Sequence, residues 1–151
     1  MLQSLIPLLS TIGRSDSGAR HSRHGRSRRR PQTYGEAGKI IWTAQSEPQA
    51  NCYVYARKTF KLPSEPAEAT LKITADSAYK LFVNGQYVGK GPVRSPHGII
   101  YFDEHDITHN LTSGDNVIAV LAHHLGEDTF SHIHRAPGLL VKAEIEAGGE
   151  T

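Results

Sequence analysis

A chain of 151 residues with 38% hydrophobic and 21% charged side chains has the size and composition of one soluble globular domain. Its net charge of +2 conceals an asymmetry: seven of seventeen cations and one of fifteen carboxylates lie before residue 31, so ten cations face fourteen carboxylates in the remainder, which is acidic and not built as a nucleic-acid-binding body. The single cysteine, Cys52, excludes an internal disulfide and a cysteine-rich zinc site, and no run approaches the roughly eighteen apolar residues of a membrane-spanning helix.

Residues 1–12 (MLQSLIPLLSTI) are apolar but short, lack a basic start and are interrupted by Pro7. They make a poor signal peptide, which weighs toward the cytoplasm over secretion. Residues 13–38 combine arginine, serine, glycine and histidine with few apolar residues, too few to offset the entropy of ordering. Residues 1–38 therefore read as a disordered basic leader; a localisation or RNA-binding arm is the functional alternative to a merely solvated one.

From residue 39 short apolar runs alternate with Pro, Gly, Asn and Asp, the spacing of an all-β sandwich. Strands are expected at 40–43 and 53–62. Leu71, Ile73 and Ala75 then alternate with Lys72, Thr74 and Asp76, giving a strand with one wet face. The run 79–83 enters Asn84-Gly85 and leaves through 86–89, and Asn-Gly between apolar strands marks a tight hairpin because both residues tolerate positive φ. A strand at 99–103 leads into Asp106-Ile107-Thr108, which is at most one helical turn capped by Asp106 or Thr108.

The run 116–122 is apolar on both faces, so it is either a central strand with its outer face covered or a surface on which something docks. Val141, Ala143 and Ile145 alternate with polar residues in the last strand. The total is about eight strands, the number of an antiparallel jelly-roll sandwich occupying residues 39–150.

In order, the segments NCYVYARKTFKLP (51–63), ATLKITADSAYKLFVNGQYVGKGPVRS (69–95), YFDEHDITHNLTSGDNVIAVLAHHLG (101–126) and APGLLVKAEIE (136–146) resemble the N-terminal β-sandwich of bacterial-type α-L-rhamnosidases. A looser version, with the VNG hairpin followed by a D-I-T, G-x-N stretch, resembles the galactose-binding-like domains of β-galactosidase and β-glucuronidase enzymes. The resemblance implies a non-catalytic module that packs beside other domains of a multidomain glycoside hydrolase and flanks its sugar site. It implies no catalytic residue here, because the family's acidic residues belong to a helical barrel that these segments do not include. A free-standing lectin-like glycan binder is the alternative.

Glycoside hydrolysis needs two carboxyl groups astride a sugar pocket. Asp103, Glu104 and Asp106 form the one dense acidic cluster, and their place at a strand-to-turn junction reads as solvent-facing turn chemistry. His123, His124, His132 and His134 match no standard zinc spacing, so neither a metal nor another cofactor is expected. Carbohydrate or interdomain contact is assigned instead to Tyr87 at the hairpin, to Phe130, His132 and His134 in the histidine loop, and to Arg94 and Asp128 as hydrogen-bonding partners. The expected partners are neighbouring hydrolase domains or a glycan, not nucleic acid or a membrane. Asn110-Leu111-Thr112 is a glycosylation sequon, of consequence only in a secreted protein.

Overall fold

The computed structural model describes residues 28–32, 40–43, 50–96, 99–130 and 132–147. Eight strands run in the order β1 (Arg28–Gln32), β2 (Cys52–Leu62), β3 (Pro66–Ala75), β4 (Ala78–Val83), β5 (Gln86–Gly91), β6 (Ile100–Asp106), β7 (Gly114–His124) and β8 (Leu139–Ala147). They form two four-stranded antiparallel sheets, β1-β6-β3-β8 and β2-β7-β4-β5. From β2 onward every connection crosses between the sheets except the β4–β5 hairpin, which is the connectivity of a jelly roll.

Period-two alternation sets which face each strand buries. Leu71, Ile73 and Ala75 of β3 meet Leu81 and Val83 of β4 and Ile118, Val120 and Ala122 of β7 in one core, closed by Ile107, Leu111 and Leu139. A smaller cluster of Phe102, Leu140 and Ile100 lies on the opposite face of the first sheet. The β2–β7 pair runs unbroken from Cys52 opposite His124 to Leu62 opposite Gly114, and it centres β7 between β2 and β4.

Two segments differ from the sequence expectation. Residues 40–43 do not form a strand: Ile41 makes one antiparallel bridge to Leu139, with both backbone bonds in place. Among the described residues Ile41 alone of this segment pairs with β8, so the ladder does not extend along it. Arg28–Gln32, inside the segment read as a basic leader, pairs with β6 as an edge strand. Ladder bonds need no apolar side chains, and Pro31 is tolerated because an edge strand leaves one side of its backbone unpaired. The rest of the expected leader lies outside the described residues.

The Asn84-Gly85 hairpin forms as expected, with φ of 50° and 79°. Its asparagine does more than turn the chain. Asn84 donates from Nδ2 to the Asn110 carbonyl (2.9 Å) and to Asn116 Oδ1 (2.8 Å), and its Oδ1 accepts from the Val117 amide (2.8 Å). At the other motif, Asp106 Oδ1 accepts from the Thr108 amide and the Thr108 hydroxyl accepts from the Ala69 amide (2.9 Å), fixing the short 3-10 turn Thr108–Asn110 against β3. The VNG and D-I-T, G-x-N signatures are thus one hydrogen-bonded unit that holds one end of the sandwich.

Candidate functional site

The opposite end is shaped by three connections: the Asp76-Ser77 turn between β3 and β4, the loop after β5, and the long loop between β7 and β8. Together they line a partly open cavity of about 740 Å³. Asp76 begins the turn because the strand ends where its amide is claimed by the Gly138 carbonyl (2.9 Å) from the long loop. Its side chain is only 1% exposed. Oδ2 accepts from the Ser77 hydroxyl (2.6 Å) and from His124 Nδ1 (2.7 Å), and His132 Nε2 stands 3.7 Å away. Oδ1 has no partner among the described residues. A buried carboxylate oxygen without a donor is costly, and this one lies beneath the cavity wall, where it presents no exposed acceptor.

The donor pattern fixes proton positions. An ionised Asp76 can only accept, so His124 carries its proton on Nδ1. With the Ser77 proton given to Asp76, the Ser77 oxygen accepts from the Leu125 amide (2.8 Å) and from His132 Nε2 (3.3 Å). Trp42 packs edge-on against His124, and the His134 ring lies 6.0 Å from it. On the other side of β7, His123 stacks on Tyr53 at 4.3 Å and bonds Asn51 Oδ1 (3.0 Å). Burial, with His124 beside it, lowers the His123 pKa below the ordinary imidazole value. Arg135 joins two of the loops, donating to Ser95 Oγ (3.1 Å), the Ser95 carbonyl (3.0 Å) and the Pro96 carbonyl (2.9 Å).

Of the residues assigned from sequence, Arg94, Phe130 and His132 line this cavity, with Phe130 fully exposed. Asp128 and His134 do not line it; the His134 amide donates to Asp128 Oδ1 (2.7 Å), an internal bond of the long loop. Tyr87 lies elsewhere, on the outer side of the second sheet against Phe82 at 5.7 Å. Sequence reasoning missed Asp76, Ser77, His124 and Arg135. Asp76 and Ser77 look like ordinary turn residues because the loop that buries them lies about fifty residues further along the chain.

The acidic cluster requires a correction. Asp103 is not a solvent-facing turn residue; it is 4% exposed and points between the sheets, where Oδ2 accepts from the Tyr79 hydroxyl (2.6 Å). The Tyr79 oxygen, its proton committed, accepts from His105 Nε2 (3.0 Å). Burial and the bond to Asp103 push the Tyr79 pKa far up, and burial pulls His105 down. Gly89 and Gly91 make room for this trio: a Cβ on Gly91 would overlap Asp103 Oδ2 and the Tyr79 ring, and one on Gly89 would overlap the His105 ring. Asp106 stays exposed, its pKa lowered by the bonds from Thr108.

No protein-family model matches the chain, and no curated protein matches it. Solved structures do. A family GH78 rhamnosidase of Bacillus sp. GL1 is 44% identical over 74% of this chain with a TM-score of 0.63. An α-L-rhamnosidase from Aspergillus terreus is 25% identical over 70% (TM-score 0.54). The fold alone is shared with a Streptomyces avermitilis α-L-rhamnosidase complexed with L-rhamnose, 19% identical over 80% (TM-score 0.56). The chain spans only 12%, 14% and 12% of these proteins, respectively. The jelly-roll connectivity, together with 44% identity to one rhamnosidase over 74% of this chain, makes the chain a β-sandwich domain of the α-L-rhamnosidase family.

Proposed function

We propose that this domain is a non-catalytic accessory module of an α-L-rhamnosidase-type glycoside hydrolase, and that its cavity contributes a contact for a hydroxylated ligand. The observation that carries the first half is the 44% identity to a rhamnosidase of which the chain spans 12%. The chemistry of the cavity agrees with it. Hydrolysis of a glycoside requires an acid and a second carboxylate on opposite sides of the bond. Among the described residues Asp76 is the only carboxylate lining the cavity, and one of its oxygens is held by Ser77 and His124. A lone carboxylate cannot perform both roles.

Ligand contact is favoured over pure packing by the open cavity and the polar groups on its wall. Arg94 and His132 add donors and Phe130 an apolar surface at the mouth. The test is a pair of measurements on the pure chain. Incubation with p-nitrophenyl α-L-rhamnoside should release no p-nitrophenol; release above a blank would refute the non-catalytic role. Calorimetric titration with L-rhamnose should show saturable heat that falls in Arg94→Ala; no heat from the wild-type chain would refute the ligand contact and leave the accessory role standing.

A further inference from the structure

The two outer faces of the sandwich differ in chemistry. On the first sheet, β3, β6 and β8 turn Lys72, Glu104, Lys142 and Glu144 outward, and Glu144 pairs with both lysines, at 3.8 Å with Lys72 and 2.8 Å with Lys142. That is a charge-paired patch beside the covered cluster of Phe102 and Leu140. On the second sheet the outward rows place Tyr55 beside Leu121, and Ala119 beside Phe82 and Tyr87. Tyr53, Tyr55 and Tyr87 are 57%, 65% and 56% exposed. The cations Arg57, Lys80 and Lys90 stand among these rows, and the one outward carboxylate of these strands, Asp115, is paired with Lys61 at their far end.

We propose that this outer face of β2-β7-β4-β5 is a docking surface for a neighbouring protein domain that presents apolar side chains interspersed with carboxylates; the proposal rests on the reading of the chain as an accessory domain. Tyrosine, phenylalanine, leucine and arginine in one contiguous patch are the composition of a protein interface core, where aromatic anchors lose water against a complementary surface. Three cations with no carboxylate paired to them among the described residues call for carboxylates from outside. A second copy of this chain would set these cations against themselves. A neutral glycan would leave them unmatched, and the continuous aliphatic floor of Leu121 and Ala119 offers it no hydrogen bond.

The probe is the Bacillus sp. GL1 rhamnosidase with the segment that this chain matches removed, added to the full chain and followed by interferometry and sedimentation. Saturable 1:1 binding is expected, weakened at least about tenfold when salt is raised from about 0.05 to about 0.5 M, because salt screens charge pairs. Binding should vanish in the double variant Tyr55→Lys, Leu121→Lys and fall at least about tenfold in Lys80→Glu, Lys90→Glu. Arg94→Ala, in the cavity, should bind as the wild type does. Thermal melts confirm folding, and Tyr55→Ser replaces the lysine pair if that variant does not fold. Undiminished binding by a folded face variant would overturn the docking surface while leaving the accessory role intact. No binding by the wild-type chain would overturn both. Self-association abolished by the same face variants would make the occupant a second copy and overturn the acidic partner.

Discussion

Asn84, in the turn between β4 and β5, donates from Nδ2 to Oδ1 of Asn116, at the start of β7, over 2.8 Å, and so ties the hairpin to the strand that crosses the middle of its sheet. Asn116 is fully buried and has no unused polar atom: Oδ1 also accepts from the Thr112 amide (3.0 Å), and Nδ2 donates to the carbonyls of Thr112 (2.6 Å) and Gly114 (3.0 Å). Asn116→Ala should therefore destabilise the domain by about 2–4 kcal/mol, since several backbone groups and one amide lose partners in a buried place. Asn116→Asp should cost a similar amount, because a carboxylate cannot donate to the two carbonyls. Urea unfolding measures both; a loss below about 0.5 kcal/mol would mean that water replaces the bonds at little cost.

Between the sheets the corresponding test is Tyr79→Phe. It removes one oxygen from a closely packed place and leaves Asp103 Oδ2 and His105 Nε2 without this partner. The expected loss is about 1–3 kcal/mol by urea unfolding, with the fold retained. Gly91→Ala should cost at least as much, about 1–3 kcal/mol or more, because the added methyl meets Asp103 and Tyr79, both held in place by the bond between them.

These two networks show what could be read from the sequence. Alternation along 71–75 and 141–145, together with Asn84-Gly85, was enough for strands, hairpin and sandwich, because a buried face and a positive-φ turn are each specified by residues next to one another. The motifs marked the family, but nothing local indicated that Asn84 and Asn116, 32 positions apart, bond to each other. The candidate site divides the same way. Arg94, Phe130 and His132 were legible as polar or aromatic residues in loops, which is where contacts occur. Asp76 was not, since its burial is produced by the distant long loop; Asp103 was misassigned because a polar residue at a strand end faces water unless something across the core requires it.

Acid should weaken the fold in a particular window. His105 and His123 both have folded pKa values below the ordinary 6.5, each chiefly through burial. Below pH 6.5 the unfolded chain then binds protons that the folded chain refuses, so stability is fully present above 6.5 and declines as pH falls toward the folded values. Asp106 and Glu144, whose pKa values are lowered by bonds from Thr108 and Lys142, extend the loss through the carboxylate range below pH 4.5. Urea midpoints between pH 7.5 and 5 should fall with pH, and His105→Gln should flatten the slope. A midpoint that rises on acidification would contradict the burial of these imidazoles.

Arg135 gives the last prediction. Its guanidinium bridges the loop after β5 and the loop before β8 through two nitrogens, a geometry that needs a planar fork. Lysine carries the charge but places it at one point, so Arg135→Lys should keep at most part of the three bonds. The sheets do not depend on this contact, and global stability should change by less than about 1 kcal/mol for a partly exposed site. The local effect should be larger: both loops line the cavity and are held together here, so freeing them raises the population of locally opened states. Hydrogen exchange should show faster amide exchange at residues 93–95 and 132–138 with β2, β4 and β7 unchanged. Unchanged loop exchange would mean that the backbone bonds from Asp76 and Ile41 to this region already set its geometry.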